Sequence, residues 1–137
     1  MADARLVYLD ASAFVKLIIP EPETAALIAA LTPQTRLVSS EILEIEALRA
    51  ARRAGGENAA AIARTQLASV RLLGLTDPIR RRAGELNPST LRSLDAIHIA
   101  TALDLGEPLQ SVYAYDTRMA TAARQAGLHV SAPRANR

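Results

Sequence analysis

At 137 residues, half of them apolar and 22% charged, the chain has the make-up of a globular protein and not of a disordered segment. There is no cysteine, which excludes disulfides and thiolate metal sites. Net charge is only +2, no apolar run approaches the roughly 20 residues a membrane helix needs, and Met1–Arg5 lacks the pattern of a signal peptide, so a cytoplasmic protein without membrane contact is expected.

Arg5–Asp10 (RLVYLD) is a short apolar run ending in a carboxylate, the mark of a buried strand. Helices are predicted over Ala11–Ile19 and Glu23–Leu31, parted at Pro20-Glu21-Pro22 because proline cannot continue the preceding turn. Leu37–Ser39 is the second strand. Ser40 is a candidate cap for a helix over Glu41–Ala54, which stops at Gly55-Gly56. An alanine-rich helix over Glu57–Ser69 leads into a third strand, Val70–Leu75. Asp77-Pro78 has the cap-then-proline pattern of a helix start, and that helix runs to about Leu86 before Asn87-Pro88-Ser89 breaks the chain. The next helix is Leu91–Leu105, ended by Gly106. Gln110–Tyr115 is the fourth strand, Thr117–Ala126 a helix closed by Gly127, and Leu128–Ser131 the fifth strand. Strands alternating with helices imply a parallel sheet covered on both faces. The expected fold is a three-layer α/β/α sandwich, one domain over residues 1–132 with a flexible tail over 133–137.

Asp10 and Asp116 each follow a strand-like run and precede a helix. In a parallel sheet both then stand at the carboxyl edge, where ligands of open α/β folds bind. On neighbouring strands, about 4.8 Å apart, they are close enough to share an ion. The plainer role for either alone is to cap its helix. Asp95 lies in LDAIHIATAL, a stretch apolar on nearly every side, sharing one narrow face with His98 and Ala102. An ionised carboxylate there needs a cation or takes up a proton; pairing with His98 or with a distant arginine is the plainer alternative. Glu46 falls on the apolar side of its helix, between Ile42 and Leu43, with an ion pair to Arg49 as its plainer alternative. Glu41 also faces inward by the same wheel, but in a first turn, where an acid is favoured anyway. Buried carboxylates are costly without compensation. None of these four has an obvious basic partner beside it in sequence, and a shared divalent cation is the simplest solution.

The segments YLDASAFVKLIIPEPE, EIEALRAARR, SLDAIHIATAL and YDTRMATAARQAGLHV, in that order across residues 6–132, resemble the PIN-domain ribonucleases, and within them the VapC-type toxins of bacterial toxin–antitoxin pairs. The resemblance implies sheet order 3-2-1-4-5 with Asp10 and Asp116 on adjacent strands. It carries the family's catalytic, metal-binding quartet onto Asp10, Glu46, Asp95 and Asp116, with one or two Mg²⁺ or Mn²⁺ ions. Ser12 matches a polar position beside the metal, its plainer role being to cap the first helix. His98 is expected to support the acids and not to bind the ion. RNA as substrate, a homodimer and a cognate VapB-type antitoxin follow from the same resemblance.

Oxygen ligands without cysteine suit a hard ion. Such an ion would activate water against an RNA phosphodiester, leaving the 5′-phosphate and 3′-hydroxyl that the resemblance implies. Arg49, Arg53 and the Arg80-Arg81-Arg82 run are candidate phosphate or antitoxin contacts, although arginine triplets commonly decorate a solvated helix. Three Tyr, one Phe and no Trp leave little for base stacking, so recognition through RNA shape and backbone is expected. A receiver-like or phosphatase-like domain is disfavoured because the sole lysine, Lys16, lies in the first helix. Neither GxGxxG nor GxxxxGK[ST] occurs, which disfavours nucleotide binders. A non-catalytic PIN-fold interaction module, binding an antitoxin or RNA, is the alternative.

Overall fold

The computed structural model describes residues 5–135. The elements run in the order β1 (Arg5–Leu9), α1 (Ala11–Val15), α2 (Thr24–Ala30), β2 (Thr35–Ser40), α3 (Ile42–Leu67), β3 (Val70–Leu73), α4 (Asp77–Glu85), α5 (Ser93–Leu105), β4 (Leu109–Tyr113), α6 (Thr117–Gln125) and β5 (Val130–Ser131). All strand pairs are parallel, as the alternation of strands and helices predicted, and the sheet order is β3-β2-β1-β4-β5, as the family resemblance implied.

The central strand shows why the layers form. Successive side chains of a strand point to opposite faces. Val7 and Leu9 therefore enter one core with Phe14, Leu27 and Leu43 of α1, α2 and α3, while Tyr8 enters the other with Val38, Ile99, Val112 and Met119. Both faces of β1 are sealed, so its carboxyl end is also enclosed.

Local chemistry moves several boundaries. The first helix ends at Val15, because Thr24 closes a turn by accepting from the Glu21 amide (2.9 Å) and donating to the Lys16 carbonyl (2.8 Å). The glycine pair does not end α3 but kinks it: Gly56 takes φ +65°, and a Cβ on Gly55 would lie 2.8 Å from that of Ala59. The cap of α4 is Thr76, one residue ahead of Asp77. Ser40 reaches the Ile42 amide at 3.3 Å from outside the helix, with Glu41 in the capping position. Tyr113 ends β4, leaving Ala114 and Tyr115 to lead into Asp116.

Lys16 is committed to acids other than the four candidates. It pairs with Glu23 (3.2 Å) and Glu21 (3.4 Å) and lies 4.7 Å from the Tyr115 ring centre. The same ring holds the end of the chain. Tyr115 donates to the Pro133 carbonyl at 2.7 Å, and Arg134 lies over its ring while pairing with Glu23 at 3.5 Å. These contacts fall within the segment expected to be a loose tail; residues 136 and 137 lie outside the described residues. Among the described residues, no helix is long and apolar enough to cross a membrane.

Phe14 is fully buried at the joint of β1, α1 and α3. Phe14→Ala is expected to cost about 3–5 kcal/mol, read as a lower denaturant midpoint with unchanged slope in urea unfolding.

Candidate functional site

Asp10 follows the last residue of β1 and is only 4% exposed. Its backbone amide donates to the Tyr113 carbonyl (3.2 Å), tying the end of β1 to the end of β4. Both hydrogen bonds of its side chain fall on one oxygen: Oδ1 accepts from the Ala13 amide (2.9 Å), capping α1, and from the Ser12 hydroxyl (2.7 Å). Ser12 Oγ in turn accepts from the Tyr115 amide (2.8 Å) and the Asp116 amide (3.3 Å). One hydroxyl thus links the two strand-end aspartates. Asp116 repeats the pattern, its Oδ1 capping α6 through the Met119 amide (2.9 Å). Capping and facing the site are therefore not alternatives, because each carboxylate has two oxygens.

Asp95 sits in the first turn of α5, half-buried, where the helix dipole favours an acid. Neither it nor Asp116 lacks a basic partner. Arg92, three residues ahead of Asp95, reaches Asp95 Oδ2 with Nε (3.3 Å) and Asp116 Oδ2 with Nη2 (3.4 Å). This corrects the expectation that no cation stands beside the acids in sequence. The signal was the three-residue spacing, which puts both side chains on one side of a helix start.

Glu46 pairs with neither Arg49 nor Arg53, both of which are exposed. Its Oε1 meets His98 Nε2 at 2.6 Å, and His98 Nδ1 meets the Tyr8 hydroxyl, also at 2.6 Å. The Tyr8 oxygen accepts from the Ser40 amide (3.1 Å). Burial pushes the Tyr8 phenol well above its usual range, so it stays protonated and donates to Nδ1. A neutral ring with its proton on Nε2 then satisfies every partner and donates to Glu46. His98 holds Glu46, as a support, and does not pair with Asp95. Sequence reasoning missed Tyr8, whose hydroxyl carries no pattern of its own.

The other candidates lie apart. Arg80 is tied to Asp77 and donates to the Leu75 carbonyl (3.2 Å), and Arg81 and Arg82 are exposed on α4. Glu41 is exposed beside Gly74 and does not join the acids.

The PIN-domain family model matches residues 7–125. The chain belongs to the PIN-domain family. It is 43% identical over 127 residues to Ribonuclease VapC46 of Mycobacterium tuberculosis, covering 93% of this chain and 97% of that one. Among solved structures it resembles M. tuberculosis VapC20, a sarcin–ricin-loop-cleaving toxin (TM-score 0.73, 20% identity, 93% and 99% coverage). It also resembles Rickettsia felis VapBC2 bound to a DNA fragment from its promoter (TM-score 0.72, 12% identity, 93% and 98% coverage).

PIN-domain ribonucleases of the VapC type generally depend on a divalent metal. The donors here fit such an ion in kind: they are oxygens, Asp10 is buried, and Asp95 and Asp116 already share the positive charge of Arg92. Among the described residues no three carboxylate, thiol or imidazole groups are gathered to hold an ion as they stand. A bound ion therefore has to compete with Arg92 for these acids.

Burial pushes the Asp10 carboxyl up to about 6, against the hydrogen bonds from Ser12 and Ala13, and the charge of Asp95 adds to the rise. The unfolded carboxyl ionises near 3.8. Between these two values the folded chain holds a proton that the unfolded chain has lost, so stability falls as pH rises through this window. Asp10→Asn keeps the cap without the charge. It is expected to be more stable than the natural chain above pH 6 by about 3 kcal/mol, the gap closing below about pH 4, in chemical unfolding across pH.

Proposed function

We propose that the chain is a divalent-metal-dependent endoribonuclease, the toxin of a toxin–antitoxin pair. The observation that carries this reading is the linkage of Asp10 to Asp116 through Ser12, and of Asp116 to Asp95 through Arg92, in a PIN-domain chain, with Asp10 buried and short of positive charge. The 43% identity to Ribonuclease VapC46 supports RNA as the substrate class. The likeness to VapBC2 supports a VapB-type antitoxin as partner.

Asp10, Asp95 and Asp116 would hold the ion, and Mg²⁺ and Mn²⁺ both suit an all-oxygen donor set. When bound, a divalent ion supplies a more acidic water and stabilises charge on the phosphate. Ser12 fixes the Asp10 carboxylate through Oδ1 and leaves Oδ2 for the ion. His98 fixes Glu46 through Oε1, which leaves Oε2 to orient the attacking water. The water oxygen bonds to phosphorus and gives up a proton to the surrounding water, the P–O3′ bond breaks, and the 3′ oxygen takes up a proton from the same solvent. The products are a 5′-phosphate and a 3′-hydroxyl.

Purified protein is expected to cleave structured RNA with Mg²⁺ or Mn²⁺ and to stop in EDTA. Asp95→Asn and Asp116→Asn should each lose at least about 100-fold in rate, more than removal of a group that merely supports a metal ligand. Mapping of new 5′-phosphate ends reads the outcome. Cleavage retained in both variants would put the chemistry elsewhere. Tight binding of an antitoxin without any cleavage would favour the non-catalytic interaction module.

A further inference from the structure

Asp95 lies on the wall of a groove of about 500 Å³ between the start of α5 and α6. Its walls carry Thr90, Arg92, Asp95, Thr117, Arg118 and Gln125. The charges there are two guanidinium groups against one carboxylate, so the groove is cationic beside an acidic site. Arg118 forms no ion pair among the described residues, and the Arg92 side chain is 65% exposed. Its two contacts with Asp95 and Asp116 are long and solvated, the kind that hold a side chain weakly. Three of its five N–H donors are uncommitted, and guanidinium forks match phosphate oxygens.

We propose that this groove is a subsite for a backbone phosphate of the RNA next to the bond that is cut, with Arg92 and Arg118 as its anion contacts. The proposal rests on the ribonuclease reading and adds the place where substrate is held. The threonine hydroxyls and the Gln125 amide supply neutral donors around the two cations. No aromatic side chain lines the groove, so it offers bases nothing to stack on and grips the backbone whatever the sequence. Asp95 forms part of the wall and shares Arg92 with Asp116, so a strand lying in the groove passes beside this pair of acids. Arg92 serves both neighbours: it offsets Asp95 and Asp116 when they are bare, and it is released to a phosphate once their charge is offset by other means. The arginines picked out from sequence lie elsewhere, on exposed faces of α3 and α4.

The test is direct binding, without turnover. Full-length Asp10→Asn protein is titrated in EDTA against a short fluorescent single-stranded RNA of mixed sequence, over a series of salt concentrations, by anisotropy. Adding Arg118→Ala is expected to weaken binding about tenfold and to lower the salt slope by about one. Adding Arg118→Lys should restore the slope, because the charge returns. Arg118 pairs with none of the acids, so its removal leaves their balance intact; Arg92→Ala is the second variant, made in protein whose Asp95 and Asp116 are both changed to Asn so that Arg92 is free, and should weaken binding likewise. Arg36→Ala, exposed at the amino end of β2 and so opposite the carboxyl edge, is the control. Affinity and slope indifferent to Arg118→Ala, or changed only as much as by Arg36→Ala, overturn the subsite. Unchanged RNA binding with weaker capture of an acidic peptide would assign the groove to a protein partner and overturns it equally. If the natural chain cuts RNA while Arg118→Ala changes nothing, the groove alone fails; if it neither binds nor cuts RNA, the ribonuclease reading fails with it.

Discussion

Everything at this site depends on one carboxylate that the fold cannot let go. Asp10 ends the central strand of the sheet, which has a core on each face, so its side chain has nowhere solvated to turn. Local hydrogen bonds from Ser12 and Ala13 satisfy Oδ1 but do not cancel the cost of burying the charge, and its carboxyl stays well above the usual range. The structure retains an energetic debt that a cation at the sheet edge would discharge.

Around Asp10 the supporting groups divide into a stiff half and an adjustable half. On the stiff side, Ser40, Tyr8, His98 and Glu46 form a chain of short, mostly buried hydrogen bonds running through the second core. Such a fully satisfied network fixes a side chain in one position. On the adjustable side, Asp95 and Asp116 are joined only through Arg92, an exposed side chain at long contact distances. A site that must take up an ion and a polyanion, then release product, gains from having one wall fixed and the other free to exchange partners.

The layer order and the strand-end aspartates were legible because they follow from short-range rules: apolar strands alternating with helices, and a carboxylate where a strand turns into a helix. Asp95 was legible for a different reason, being an acid in an otherwise apolar helix. Partnerships were much less so. Glu46 and His98 are 52 positions apart, and their meeting depends on how α3 and α5 cross the sheet edge. Arg92 escaped notice because it lies just outside the apolar stretch that drew attention to Asp95, although its spacing was local. At Gly55-Gly56 and Thr76 the turn chemistry was recognised, but small shifts of one or two residues depended on a single close contact or a single cap.

The most direct measurement is a carbon-13 NMR titration of the Asp10 side-chain carboxyl, with and without Mg²⁺. A carboxyl that titrates near 6 in the metal-free protein, and falls on adding Mg²⁺, is the expected result. One that titrates near 3.8 without metal, or does not respond to Mg²⁺, would contradict a buried charge awaiting a cation.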